Sequence, residues 1–188
     1  MQLKNRTTQY TVVIFGFLDA MATLINLSGL PGVGKTSIAR ELSKRIQAIH
    51  VQIDSIETAM KNSTLRIHPV KDAGYLVAIA VAKDNLTLGL DVISDTVNPV
   101  SVTRRWWADA AQATHAKLLN VEIVCGDKTE HRRRVEARAS DIDGLILPSW
   151  EQITCRRYDP WTEYRLTVDS SQLSLRECVA RIVEKLSQ

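Results

Sequence analysis

Gly29-Leu30-Pro31-Gly32-Val33-Gly34-Lys35-Thr36 is the stretch on which the fold turns. It fits G-x-x-x-x-G-K-[S/T], the phosphate-binding P-loop or Walker A pattern. The pattern needs a strand before it and a helix after it. Thr23-Leu-Ile-Asn-Leu27 supplies the first, and the apolar stripe Ile38, Leu42, Ile46, relieved by Arg40, Glu41, Lys44 and Arg45, supplies the second. Glycines at 29, 32 and 34 allow backbone dihedrals closed to other residues, so successive N–H groups can turn inward around an anion. Residues Gly29 through Ser37 are therefore read as the nucleotide-binding stretch. Lys35 is expected to reach the β- and γ-phosphates of ATP, and the Thr36 hydroxyl to ligate Mg²⁺ at the positive end of the helix.

Composition leaves this reading room. The chain has 188 residues, enough for one domain with a real core, and 45% of them are hydrophobic. Its 24 basic and 21 acidic residues give +3, too small an excess to point to nucleic acid. Cys125, Cys155 and Cys178 are odd in number and widely spaced, which suggests neither a disulfide framework nor a zinc site. A reducing, cytoplasmic setting follows as the expectation. Lys4, Arg6 and the run Tyr10–Leu18 have the charge order of a secretory signal, but Asp19 interrupts the run and the P-loop strand follows almost at once. Residues 1–20 are read as a dispensable, poorly ordered extension, and 21–188 as the domain.

Two acids close strand-like runs. Ile49-His-Val-Gln-Ile-Asp54 is read as the second strand and Leu90-Asp-Val-Ile-Ser-Asp95 as the third, each with its Asp at the carboxyl end, where open α/β sheets bind ligands. Apolar residues running into Asp95 have the form of a Walker B element, whose carboxylate holds Mg²⁺ or orients the nucleophile. Either acid could instead simply cap the following turn. Between them, Asp72 is expected to cap a helix reaching about Leu88, with Tyr75–Ala82 apolar on every side and hence buried; that run is about half of the roughly 20 residues a membrane span requires.

Residues 103–117 are read as a helix bearing Arg104, Arg105, Trp106 and Trp107, one Trp in the core and the pair open to a substrate role. Leu118–Cys125 is a continuous apolar strand, as in a parallel sheet covered on both faces. Asp127-Lys-Thr-Glu130 starts a helix with His131-Arg-Arg-Arg134 and Arg138; a spacing of four puts Arg134 and Arg138 on one face, close enough to want an anion between them, unless the helix is simply a solvated basic one. Residues 139–157, a loop followed by a helix capped at Ser149, are read as a lid. Tyr164–Asp169 is the fifth strand, and Ser174 caps a last helix with the stripe Leu175, Val179, Ile182, Val183, Leu186.

Together these motifs resemble the P-loop kinases of the nucleoside-monophosphate-kinase-like group. The resemblance extends to the small bacterial ATPase/kinase proteins grouped with polynucleotide 5′-kinase, gluconate kinase, chloramphenicol phosphotransferase and the zeta toxins. The resemblance runs from about Met21 to the end and rests on Gly29–Thr36, Asp54, Asp95-Thr-Val-Asn-Pro99 and Arg134-Val-Glu-Ala-Arg138. It implies a three-layer α/β P-loop NTPase fold, a five-stranded parallel sheet in order 2-3-1-4-5 with helices on both faces, and transfer of the ATP γ-phosphate to a hydroxyl. It further implies that Asp54 is the general base or acceptor anchor, and that Arg134 and Arg138 neutralise charge on the moving phosphate. The expected acceptor is a small molecule or a nucleotide, a nucleic-acid end being the less favoured form, and no membrane partner is expected. The alternative is a regulatory ATPase switch with water as acceptor.

Overall fold

The computed structural model describes residues 21–188; the extension expected at 1–20 lies outside the described residues. In chain order the elements are β1 Thr23–Ser28, α1 Lys35–Ile46, β2 Ile49–Gln52, α2 Ile53–Asn62, α3 Ala73–Thr87, β3 Val92–Asp95, α4 Ser101–Ala113, β4 Lys117–Val124, α5 Lys128–Ala137, α6 Trp150–Thr154, β5 Leu166–Asp169 and α7 Leu175–Leu186. All neighbouring strands are parallel, in the order β2-β3-β1-β4-β5.

Strand side chains alternate between the faces, and each face is roofed by helices. Ile25, Leu27, Ile93 and Val121 pack with Ile38 and Leu42 of α1 and with Val179 and Ile182 of α7. On the other face Leu24, Val51 and Val92 meet Ala78, Ala82 and Leu86 of α3 and Trp107 of α4. Between the strands runs a polar ladder: the Asn26 Oδ1 accepts from Ser94 Oγ at 2.8 Å and from Asn98 Nδ2 at 2.7 Å, while Asn98 Nδ2 also donates to Ser28 Oγ at 2.9 Å. It fixes the loop after β3, which lines the cleft described below.

Several expected boundaries shift. β2 stops at Gln52, because Ile53 to Asn62 form α2, so Asp54 stands in the first turn of a helix rather than at a strand end. α4 runs over Ser101–Ala113 rather than 103–117, since Lys117 already pairs with Thr23 as the start of β4. α3 is not buried all round: Gly74, Ala78 and Ala82 face inward and let the helix sit close, which leaves Leu76, Val77 and Val81 exposed. Asp72 precedes α3 without a side-chain cap bond. Asp127 caps α5 through the N–H groups of Thr129 and Glu130, but Glu130 turns to Arg133 and Arg134 instead of back to the cap. Arg138 is the residue that leaves α5, so it does not share a helical face with Arg134. Leu175 is exposed, whereas the rest of the α7 stripe packs inward. The capping boxes at Ser149 and Ser174 are both closed.

Among the described residues no helix is long and apolar enough to cross a membrane.

Candidate active site

Five parallel strands point their carboxyl ends at one cleft of about 900 Å³. Its floor is the P-loop. Gly29 has φ +140°, and a Cβ there would lie 2.2 Å from the Ile123 carbonyl oxygen, so only glycine lets the loop leave β1 this close to β4. Gly34 has φ +94° and precedes α1 with no side-chain cap, which turns the first N–H groups of the helix toward the cleft. The loop is braced from outside. His131 on α5 donates from Nε2 to the Pro31 carbonyl at 2.8 Å, and the Ser170 hydroxyl donates to Val33 O at 2.8 Å.

Lys35 is buried in this floor and donates to Leu30 O at 3.0 Å. Burial lowers its pKa to about 8, against the upward pull of Asp95 and then Asp54, with Arg138 and Arg156 also lowering it. A bound polyphosphate would return the missing negative charge. Asp95, at the end of β3, is buried with its Oδ2 3.3 Å from His50 Nε2. Burial pushes its carboxyl up, but the hydrogen bonds of His50 and Thr36 and the charge of Lys35 outweigh it and hold the carboxyl below its usual range. Thr36 and Asp95 thus bring a hydroxyl and a carboxylate together at the bottom of the cleft. That donor set fits a hard cation such as Mg²⁺, whose remaining positions would go to water and phosphate oxygens. Among the described residues no group of three or more His, Cys, Asp or Glu forms a closed metal cage, and a P-loop cation does not need one.

The cleft has three further walls. Ile53, Asp54, Glu57, Lys61, Tyr75 and Thr96 form an arm on the α2–α3 side. Arg134, Ser170, Leu173 and Cys178 line the opposite end, toward α7. Arg138, Arg156 and residues of the 139–148 loop overhang the P-loop. Lys35, Thr36, Asp54, Asp95, Arg134 and Arg138, chosen from sequence, are all brought to this cleft, but their situations differ. Arg134 already has acceptors for three nitrogens: Glu130 at 2.7 Å and the hydroxyl and carbonyl of Ser170, each at 2.9 Å. Arg138 is intermediate in exposure and faces the cleft.

The basic-aromatic cluster of α4 is structural. Buried Arg104 donates to the carbonyls of Asn98, Asp159 and Pro160, and its guanidinium lies 4.2 Å from the Trp161 ring centre. Trp107 is core, and Trp106 meets Tyr75 edge to face. Glu57, Tyr75 and Arg156 escaped the sequence reading as site residues: Glu57 belongs to no motif, Tyr75 sits in a run that reads as core, and Arg156 has no spacing to mark it.

A P-loop after the first strand of a parallel 2-3-1-4-5 sheet, with an acid closing the adjacent third strand, defines a P-loop protein of the nucleoside-monophosphate-kinase-like fold. The chain belongs to the family described as the AAA domain, whose model matches residues 24–147. Among solved structures it is similar to the Mycobacterium tuberculosis APS kinase CysC in complex with AMPPNP and APS: 14% identity, TM-score 0.66, covering 89% of this chain and 99% of that one. It is similar also to a gluconokinase from Sinorhizobium meliloti, at 22% identity and TM-score 0.58 over 89% of this chain and 97% of that one. Chaetomium thermophilum Kti12 in complex with ADP-AlF3 matches at 21% identity and TM-score 0.62, over 86% of this chain and 97% of that one. At these identities the likeness is one of fold. No curated protein matches the chain in sequence.

Proposed function

We propose that the protein is a Mg·ATP-dependent kinase that phosphorylates a hydroxyl of a small molecule or nucleotide. The observation that carries this is the second arm of the cleft: beyond the P-loop and Asp95 the cavity continues to Asp54, Glu57 and Tyr75, room that nucleotide alone does not require. Kinases among the similar structures, one of them holding an ATP analogue together with its second substrate, support the same reading.

In this mechanism the P-loop backbone and Lys35 hold the β- and γ-phosphates, and Arg138 and Arg156 close over them. Thr36 and Asp95 would hold Mg²⁺, which when bound offsets charge on the phosphate oxygens. The acceptor oxygen bonds to the γ-phosphorus, the bond from that phosphorus to the β–γ bridging oxygen breaks with its electron pair leaving on ADP, and the hydroxyl proton passes to the Asp54 carboxylate. Arg134, tied to Glu130 and Ser170, acts as a brace between α5 and the P-loop. The cytoplasm, where ATP and reduced cysteines coexist, is the matching location.

The two acids separate this reading from a switch that only hydrolyses ATP. Asp95→Asn is expected to weaken Mg-dependent nucleotide use with any acceptor, water included. Asp54→Asn is expected to keep nucleotide affinity and background hydrolysis while losing acceptor phosphorylation by about 10²- to 10⁴-fold, the usual range for a general base. Titration of an ATP analogue with and without Mg²⁺, plus ADP release with and without acceptor, measures both. Loss of Mg-dependent binding in Asp54→Asn but not in Asp95→Asn would reverse the roles.

A further inference from the structure

The α2–α3 arm of the cleft is short of positive charge. Asp54 and Glu57 lie one helical turn apart on α2 and both face the cavity, with Asp95 at its inner end. Lys61 is the cation of α2 in this arm, and it is half exposed with its Nζ 3.7 Å from Glu57 Oε2. Arg104, the buried arginine of the neighbouring helix, is committed to three carbonyls and to Trp161. Arg138 and Arg156 enter from across the cleft; both charges act on Lys35, on the P-loop side, and that of Arg156 reaches Glu57 as well, so Arg156 is shared between the two sides.

Glu57 itself is seated with care. A Cβ on Gly74, in the first turn of α3, would lie 2.5 Å from Glu57 Cγ, so the absence of a side chain there is what lets Glu57 lie against α3. Burial pushes its carboxyl up, with Lys61 pulling it back, Asp54 adding to the rise, and Arg156 also lowering it from across the cleft. A carboxyl in that state gains from a ligand that donates a hydrogen bond or brings a positive charge. Tyr75 completes the wall: its hydroxyl oxygen lies 2.7 Å from Thr96 Oγ1 and accepts the Asn98 N–H at 3.1 Å, so the phenol is held in one position.

We propose that Glu57 selects the acceptor, and that the acceptor is an uncharged or amine-bearing polyhydroxyl compound carrying no phosphate or carboxylate. Glu57 accepts a hydrogen bond from a hydroxyl or ammonium group next to the hydroxyl that reacts at Asp54. This inference rests on the kinase reading above and narrows it. A phosphorylated or carboxylated acceptor would have to sit against Asp54 and Glu57 with only Lys61 and a shared Arg156 to balance it.

The test uses the full chain and four sugars of similar size: glucose, glucosamine, gluconate and glucose 6-phosphate. Binding of a non-hydrolysable ATP analogue is measured first by titration; new phosphoester is then followed by phosphorus NMR and ADP release. The expected result is product from the neutral or amino sugar at least tenfold above either anion. Glu57→Gln should raise KM for that acceptor at least tenfold with KM for ATP within twofold, and Glu57→Asp should recover part of the loss. The proposal is overturned if an anionic sugar reacts as well as the neutral ones, if Glu57→Gln leaves acceptor KM unchanged, or if no neutral or amino sugar reacts in a protein that binds the ATP analogue. Failure to bind the analogue at all would instead overturn the kinase reading beneath it.

Discussion

On the proposed reading Lys35 is the residue on which nucleotide binding turns; its ammonium sits in the floor of the cleft with the Leu30 carbonyl as its hydrogen-bond partner. Lys35→Ala should leave the fold intact, by far-UV circular dichroism, and lower ATP turnover by about 10²-fold or more, as for removal of one preorganised charge from a transition state. Its pKa of about 8 has a sign that can be worked out. Against the 10.5 of an ordinary lysine, the free native protein binds fewer protons at Lys35 than the unfolded chain between about pH 8 and 10.5. The contribution of Lys35 to stability therefore rises with pH across that window and is unfavourable below it. Polyphosphate favours the charged form, so nucleotide binding takes up a proton at and above pH 8, and affinity falls as pH climbs further. Calorimetry of an ATP analogue at pH 8.5 in buffers of different ionisation enthalpy should register that uptake, and Lys35→Ala should remove it.

Among the elements, α5 and α6 are packed into the body, while the loop between them is tied to it through Asp141, which pairs with Arg40 of α1. His131 of α5 bonds the P-loop and meets the Trp150 ring edge to face at 5.1 Å, while Ile153 of α6 is buried beside Pro31 and Gly32. Of the segment 139–157, residues 139–148 are the part we expect to close; Ile146 there is 91% exposed. Amide exchange over 139–148 should slow when a non-hydrolysable ATP analogue binds, and α6 should change far less; equal slowing in both would make the whole segment one moving unit. Sequence gave good access to elements whose signal is local. The P-loop and the caps at Asp127, Ser149 and Ser174 are legible because glycine, cap and period signals act within a few residues, whereas the strand order follows only from the family resemblance. Asp54 lines the cleft, but from a helix and not from a strand end, since Ile53 reads as a β-branched strand residue and only packing makes it the start of α2. The outward face of α3 and the place of Glu57 in the cleft are out of reach, because they depend on which small residues meet across helices, and that Arg156 reaches the cleft depends on where α6 docks.

At the scale of the whole molecule, two cores share one sheet, and Trp107 holds the side built from small residues. It is fully buried among Leu24, Val92, Ala78 and Ala111. Trp107→Ala should cost about 3–5 kcal/mol, the range for emptying a large aromatic site, read as a fall in the denaturation midpoint. The ATP-analogue affinity of the protein that remains folded should be unchanged, because Trp107 lies outside the cleft. The loop at 139–148 has a consequence of another kind. It leaves α5 at Arg138 and re-enters a fixed structure at the closed capping box of Ser149, so both of its ends are set by contacts the loop itself does not make. Doubling the length of such a loop adds only about 0.6 kcal/mol of closure entropy. Its residues Ala139, Asp141, Leu145, Ile146, Leu147 and Pro148 nevertheless line the cleft. This is therefore a cassette: a place where insertions and exchanges can rewrite what the cleft admits while the sheet, the P-loop and their braces stay as they are.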